Sequence, residues 1–262
     1  MSFDKMMQSI SPNSQQMTIL PNWGQGRATY GAPIGASLLQ HCQQTLNLQR
    51  PLRSLSVNFV GPAAAGNIDL DSQLLRTGKS ASQAHCIARQ NDQAVAAMLC
   101  AFADDRHSEI NVPAQPAPDF AAPDTLQALP YLPGITPEFT QQFDFRWASG
   151  DLPFTGSASP NIGGWVRFRE PPAVLTAAAI VALVDAWPPA TASQFRQPAA
   201  ISTMSWTLEL VAALNELKAS DWWQYQANTE FAQNGYAHIE AKLWSSSGQL
   251  IAISRQTVAL FY

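Results

Sequence analysis

One acid stands in an otherwise apolar stretch. PPAVLTAAAIVALVDAW, residues 171–187, is almost entirely Ala, Val, Leu and Ile, and carries Asp185 near its end. Pro171 and Pro172 sit where a helix can start, and Pro188 and Pro189 just past where it stops, so the pattern predicts a helix over 172–187. An acid near a helix C-terminus opposes the macrodipole by roughly 0.3–1 kcal/mol when exposed. Burying a lone carboxylate costs more still. Asp185 is therefore either an acid reaching water from a frayed end or a carboxyl kept for chemistry. Other chemistries are poorly provided for. His41, His85, His107 and His238 do not pair at metal-ligand spacing and there is no HExxH, so no metal is expected. His41 reads as a partly exposed helix residue. GxSxG is absent, which argues against an α/β-hydrolase. Gly24-x-Gly26-x-x-Thr29 is a broken dinucleotide fingerprint that follows no strong strand. Cys100 as a nucleophile would need a base beside it.

The elements that must position Asp185 come in two similar halves. Residues 111–140 hold seven of the 19 prolines, and proline blocks helix interiors and central strands, so this stretch reads as an extended linker. Before it, GAPIGASLLQHCQQTLN (31–47) has the small and apolar spacing of a helix, with Pro33 in its first turn. Alternating segments follow at 52–60, 67–76, 80–90 and 93–104, separated by GPAAAG, TGK and QND. After the linker, the helix 172–187 is followed by alternating segments at 201–210, 222–232, 236–245 and 249–261. Each half is thus one long helix and then a four-stranded meander, and a sheet with a single helix must wrap it to bury it. The expected fold is α+β: a double hotdog, two antiparallel sheets each wrapped around a long central helix. The expected division is an N-terminal hotdog over 1–110, a linker over 111–140 and a C-terminal hotdog over 141–262.

The 262 residues are 46% hydrophobic and 13% charged, with a net charge of −4. That suffices for real cores, and without a Lys/Arg run neither nucleic acid nor an anionic membrane is an expected partner. The run at 173–187 is short for a membrane span and ends in an acid. The N-terminal stretch has no apolar signal region. Cys42, Cys86 and Cys100 are odd in number with no CxxC, and read as buried free thiols of a reducing compartment, so a cytoplasmic protein is expected. Exposed sheet edges tend to pair, so a homodimer is expected.

LRTGKSASQAHCIARQNDQAVAAMLCAFA (75–103), WGQGRATYGAPIGASLL (23–39), STMSWTLEL (202–210) and GQLIAISRQTVAL (248–260) together resemble the acyl-CoA thioesterase II-like family. The resemblance covers roughly 15–105 and 141–262. It implies a double hotdog in one chain that hydrolyses acyl-CoA without a cofactor, using a water held by an Asp, a Thr or Ser, and a Gln. By position these are Asp185, Thr207 and Gln256. A carboxylate can take a proton from water as it attacks the thioester carbonyl, while Thr and Gln orient the water. Backbone N–H groups at a helix N-terminus suit the developing oxyanion, and the Tyr30–Gly31 region is the candidate. Arg76 and Lys79, flanking a turn, could meet CoA phosphates, although such residues are more often simply solvated.

Laying the second half on the first places Asp185 opposite Gln43, Thr207 opposite Asn58 and Gln256 opposite Cys100. The first copy then has no acid, which implies one hydrolytic centre per chain, in the second half. Two other readings compete. A hotdog acyl-CoA hydratase would resemble Asp-x-x-x-x-His, but Ala190 stands five residues past Asp185. A non-catalytic acyl-CoA-binding protein would need the tunnel and not the triad.

Overall fold

Alternation of buried and exposed positions builds one sheet, and two helices cover one of its faces. The computed structural model describes residues 2–11 and 14–262. Its first half comprises α1 (Phe3–Gln8), β1 (Gln16–Ile19), the short hairpin β2 (Gly24–Gln25) and β3 (Ala28–Thr29), and α2 (Gly31–Thr45). There follow β4 (Leu52–Phe59), β5 (Gly66–Thr77), β6 (Ala81–Gln90) and β7 (Gln93–Ala103). The second half comprises β8 (Phe143–Ser149), β9 (Asn161–Phe168), α3 (Ala177–Asp185), β10 (Ala200–Leu210), β11 (Trp223–Gln233), β12 (Tyr236–Ser245) and β13 (Leu250–Phe261). The eight strands of the two predicted meanders are all present. Strands β1, β2, β3, β8 and β9 were not expected.

The sheet differs from the expectation of two. β4 pairs antiparallel with β10, from Ser205 opposite Asn58 to Glu209 opposite Ser54. This seam fuses the halves into one 11-stranded sheet of order β1-β5-β6-β7-β4-β10-β13-β12-β11-β9-β8. The reason is that β4 and β10 would each be an unpaired inner edge, and pairing satisfies both rows of backbone groups. At the seam Val57 and Leu55 lie opposite Trp206 and Leu208, all buried. Trp206 Nε1 donates to Ser254 Oγ at 2.8 Å, so the one polar atom of this buried ring is satisfied.

The helices lie side by side and antiparallel over the same face, with Gly35 of α2 close against Val181 of α3. α3 is shorter than predicted. Thr176, not the proline pair, starts it: its hydroxyl accepts from the Ala179 N–H at 3.2 Å, an N-cap that sets the first turn. Every residue from Ala178 to Val184 is buried, leaving Asp185 as the only polar side chain near the end. Residues 111–140 hold no long element. They are tied to the second half by Trp244 Nε1 donating to the Gln115 carbonyl at 3.1 Å and Trp165 Nε1 donating to that of Ala121 at 3.0 Å. Among the described residues no helix is long and apolar enough to cross a membrane.

A shared seam makes folding of the halves cooperative. Trp206→Ala should cost about 3–5 kcal/mol and lower a single unfolding transition, followed by tryptophan fluorescence and by far-ultraviolet circular dichroism. Two separated transitions in the wild type would contradict this.

Candidate active site

Asp185 is the last residue of α3, and antiparallel packing puts it at the start of α2. That start lacks a cap of its own: the Tyr30 side chain makes no capping hydrogen bond, and Pro33 has no N–H to offer. The Asp185 carboxylate takes the role from the other helix. It accepts a hydrogen bond from the Ala32 N–H, and Gln256 Nε2 donates to its Oδ1 at 3.3 Å. Gly31 makes the approach possible. A Cβ there would stand 2.9 Å from Asp185 Oδ2 and 2.6 Å from Phe59 Cζ.

The surroundings are apolar. Tyr225 stacks on Trp187 with centroids 5.1 Å apart, and Phe145 and Trp147 pack on Trp187 at 5.5 and 5.0 Å. On the other side Tyr30 is sandwiched by Phe139 at 4.1 Å and Trp23 at 6.1 Å. Burial among these groups pushes the Asp185 carboxyl up to about 7, opposed by the hydrogen bonds from Ala32 and Gln256. Burial, and then the nearby Asp185 charge, raise the Tyr30 and Tyr225 phenols as well. Tyr30 Oη is buried with no protein hydrogen-bond partner.

The sequence-predicted residues divide. Asp185 and Gln256 meet, and Tyr30 and Gly31 open the helix that faces them, Tyr30 as a core residue. Thr207 does not join them. In β13 the positions facing the helices are Ala252, Ser254, Gln256 and Val258, and Trp206 lies opposite Gln256. Thr207 lies between Arg255 and Ser56 on the other face. A bulge between Thr203 and Ser205 is the cause: it inserts one residue, so Thr203, opposite Val258, shares the helix-facing side with Trp206. Thr203 is thus the threonine of this strand on the Gln256 side, and the bulge that puts it there has no mark in the sequence. Tyr225 was also missed; nothing in its strand distinguishes it from a core aromatic. Arg76 and Lys79 are exposed, at the end of α2 away from Asp185. Arg50, just past the C-terminus of α2, donates to the carbonyls of Gly78 and Lys79 at 3.2 and 2.8 Å. That turn therefore lies about 22 Å, the length of the 15-residue α2, from its N-terminus.

Residues 114–260 match the acyl-CoA thioesterase C-terminal domain, and residues 19–103 match the acyl-CoA thioesterase N-terminal domain. Among solved structures the chain resembles a conserved protein of unknown function with a hot dog fold from Alicyclobacillus acidocaldarius. The TM-score is 0.88 at 20% identity, over 99% of this chain and 98% of that one. It also resembles an acyl-CoA thioesterase II from Mycobacterium marinum, with a TM-score of 0.75 at 18% identity over 94% and 92% of the two chains. At these identities the likeness establishes the hot dog fold. No curated protein sequence matches the chain.

The pH dependence of stability follows from the Asp185 carboxyl. Its pKa is higher in the fold than in the unfolded chain, so the fold favours the protonated form. That contribution is complete below the ordinary value of 3.8 and is lost as pH rises through about 7. Asp185→Asn, neutral throughout, should remove the slope. Denaturation midpoints at about pH 5 and about pH 8 should therefore fall for the wild type relative to the variant. Parallel midpoints would refute the burial of the carboxyl.

Proposed function

The chain belongs to the acyl-CoA thioesterase family, and we propose that it hydrolyses acyl-CoA to free acid and CoA with Asp185 as general base. The observation that carries this reading is a carboxyl with a pKa near 7 at the uncapped start of α2. A base of that pKa is ionised in part at neutral pH and still has the basicity to accept a proton from water. Gln256, bonded to Asp185, holds the water from one side, and Thr203 supports it from the diagonal position on β10. Thr207, on the opposite face of β10, takes no part. As water attacks the thioester carbonyl carbon, its proton passes to Asp185 and charge develops on the carbonyl oxygen. The Gly31 N–H, at the positive end of the α2 dipole, is the donor we assign to that oxygen. Collapse of the tetrahedral intermediate breaks the C–S bond, and protonated Asp185 returns the proton to the CoA thiolate. The aromatic wall of Trp187, Tyr225 and Phe145 receives apolar acyl groups. No metal or covalent intermediate enters.

In the same reading the molecule is a double hotdog, with modules over 1–110 and 141–262, segment 111–140 between them, and a single centre per chain. The rival, an acyl-CoA-binding protein without turnover, has no need of an acid with raised pKa beside a glutamine. The exposed Leu99 and Phe231 on sheet strands favour the homodimer. Sedimentation should give twice the 28.4 kDa chain mass, and a monomer mass would overturn it.

Thiol release from short, medium, long and aromatic acyl-CoAs tests the activity. Asp185→Asn should lose on the order of 10²–10⁴-fold in turnover and remain folded. Thr203→Ala should lose roughly 10-fold, the worth of about one hydrogen bond, while Thr207→Ala stays near wild type. Tight binding of every ester with no hydrolysis would move the protein to the binding class. Full activity in Asp185→Asn would remove the assigned base.

A further inference from the structure

A second chemical cluster lies in the first half. Cys42 on α2, Cys86 on β6 and Cys100 on β7 are all buried free thiols. Their Sγ atoms all lie within 4.8 Å of one another. The register explains the meeting. Ala84 lies opposite Cys100 and Cys86 opposite Met98, so the two strand thiols are diagonal neighbours on the helix-facing side. α2 packs over β6 and β7 and brings Cys42 down onto them. A further buried polar atom stands nearby. His41, expected partly exposed, is only 2% exposed, and its Nε2 has no protein hydrogen-bond partner. Its Nδ1 is 2.8 Å from Ser72 Oγ, and Ser72 lies directly opposite Cys86.

We propose that Cys42, Cys86 and Cys100 form a three-sulfur binding site for a soft, closed-shell monovalent metal ion, with cuprous ion as its type. Thiolates select soft ions, while oxygen-seeking calcium and magnesium find no carboxylate in the cluster. Three thiolates around one ion at metal–sulfur distances of about 2.3 Å stand about 4 Å apart. The observed spread of up to 4.8 Å closes to that with small side-chain rotations. A structural zinc site takes four ligands in a tetrahedron, and the mutual cluster supplies three. The ion enters as Cu(I), so no electron moves; each thiol that ligates gives its proton to the buffer. Cys42 stands 11 residues beyond Gly31 on α2, about 16 Å along the helix, so the metal site and the hydrolytic site are separate.

The test uses the reduced full chain without oxygen, with cuprous ion supplied against a competing coloured chelator. It is added to the native protein and, separately, during refolding, because the thiols are buried. The expected result is one ion per chain, with X-ray absorption showing three sulfur neighbours and no nitrogen. Cys86→Ala should weaken binding at least 100-fold while thioester hydrolysis is unchanged. Should that variant fail to fold, the sulfur count on the wild type decides. No stoichiometric uptake by either route would overturn the proposal. So would tighter binding of zinc than of cuprous ion, or a nitrogen in the metal's first sphere.

Discussion

The antiparallel contact between the end of α3 and the start of α2 governs the rest of the molecule. An acid at the C-terminus of its own helix is unfavourable, yet at the N-terminus of a neighbouring one it meets N–H groups and the positive end of a dipole. Asp185 is placed to exchange the first situation for the second. α2 has no capping side chain and a proline in its first turn, so it has an unmet need for an acceptor. Gly31 removes the one atom that would hold the carboxylate away. The contact joins the two halves above the sheet, as the pairing of β4 with β10 joins them within it. The candidate centre therefore exists only in the assembled chain: its acid and amide come from the second half, its helix N-terminus from the first.

The electrostatics of that contact are a balance, and the balance sets the chemistry. Full burial of a carboxylate without partners would leave it protonated at neutral pH, useless as a base. Full compensation by hydrogen bonds would leave it ionised with little affinity for a proton. Two donors, the Ala32 N–H and Gln256 Nε2, work against an aromatic enclosure, and the outcome lies near neutrality. Tyr30 and Tyr225 remain neutral phenols beside it, since burial and the Asp185 charge both oppose their ionisation. They lend polar atoms without adding a second charge.

Much of this was legible in the residues. A lone acid in an apolar run, proline punctuation and the alternating strands pointed to Asp185, to both helices and to the eight meander strands. Gln256 was reached through the family resemblance. The rest was hidden for physical reasons. Thr207 was reached through the family resemblance, by position, and lies on the opposite face: one extra residue at Met204 exchanges the two faces of β10 downstream, and no residue type marks that bulge. Arg76 and Lys79 were read as charges flanking a turn, and charge carries no information about which end of a sheet that turn occupies. The proline pair misled the start of α3 because Thr176 offers a better cap. The single sheet was hidden because its seam pairs strands from distant parts of the chain. The three cysteines were correctly read as buried thiols, but their convergence depends on the same kind of long-range register.

A carbon-13 NMR titration of the Asp185 carboxyl, with the signal assigned by its loss in Asp185→Asn, decides whether this acid is buried as described. The expected midpoint is about 7. A midpoint in the ordinary carboxylate range, near 3.8, would show a solvated acid at a helix end, not a buried general base.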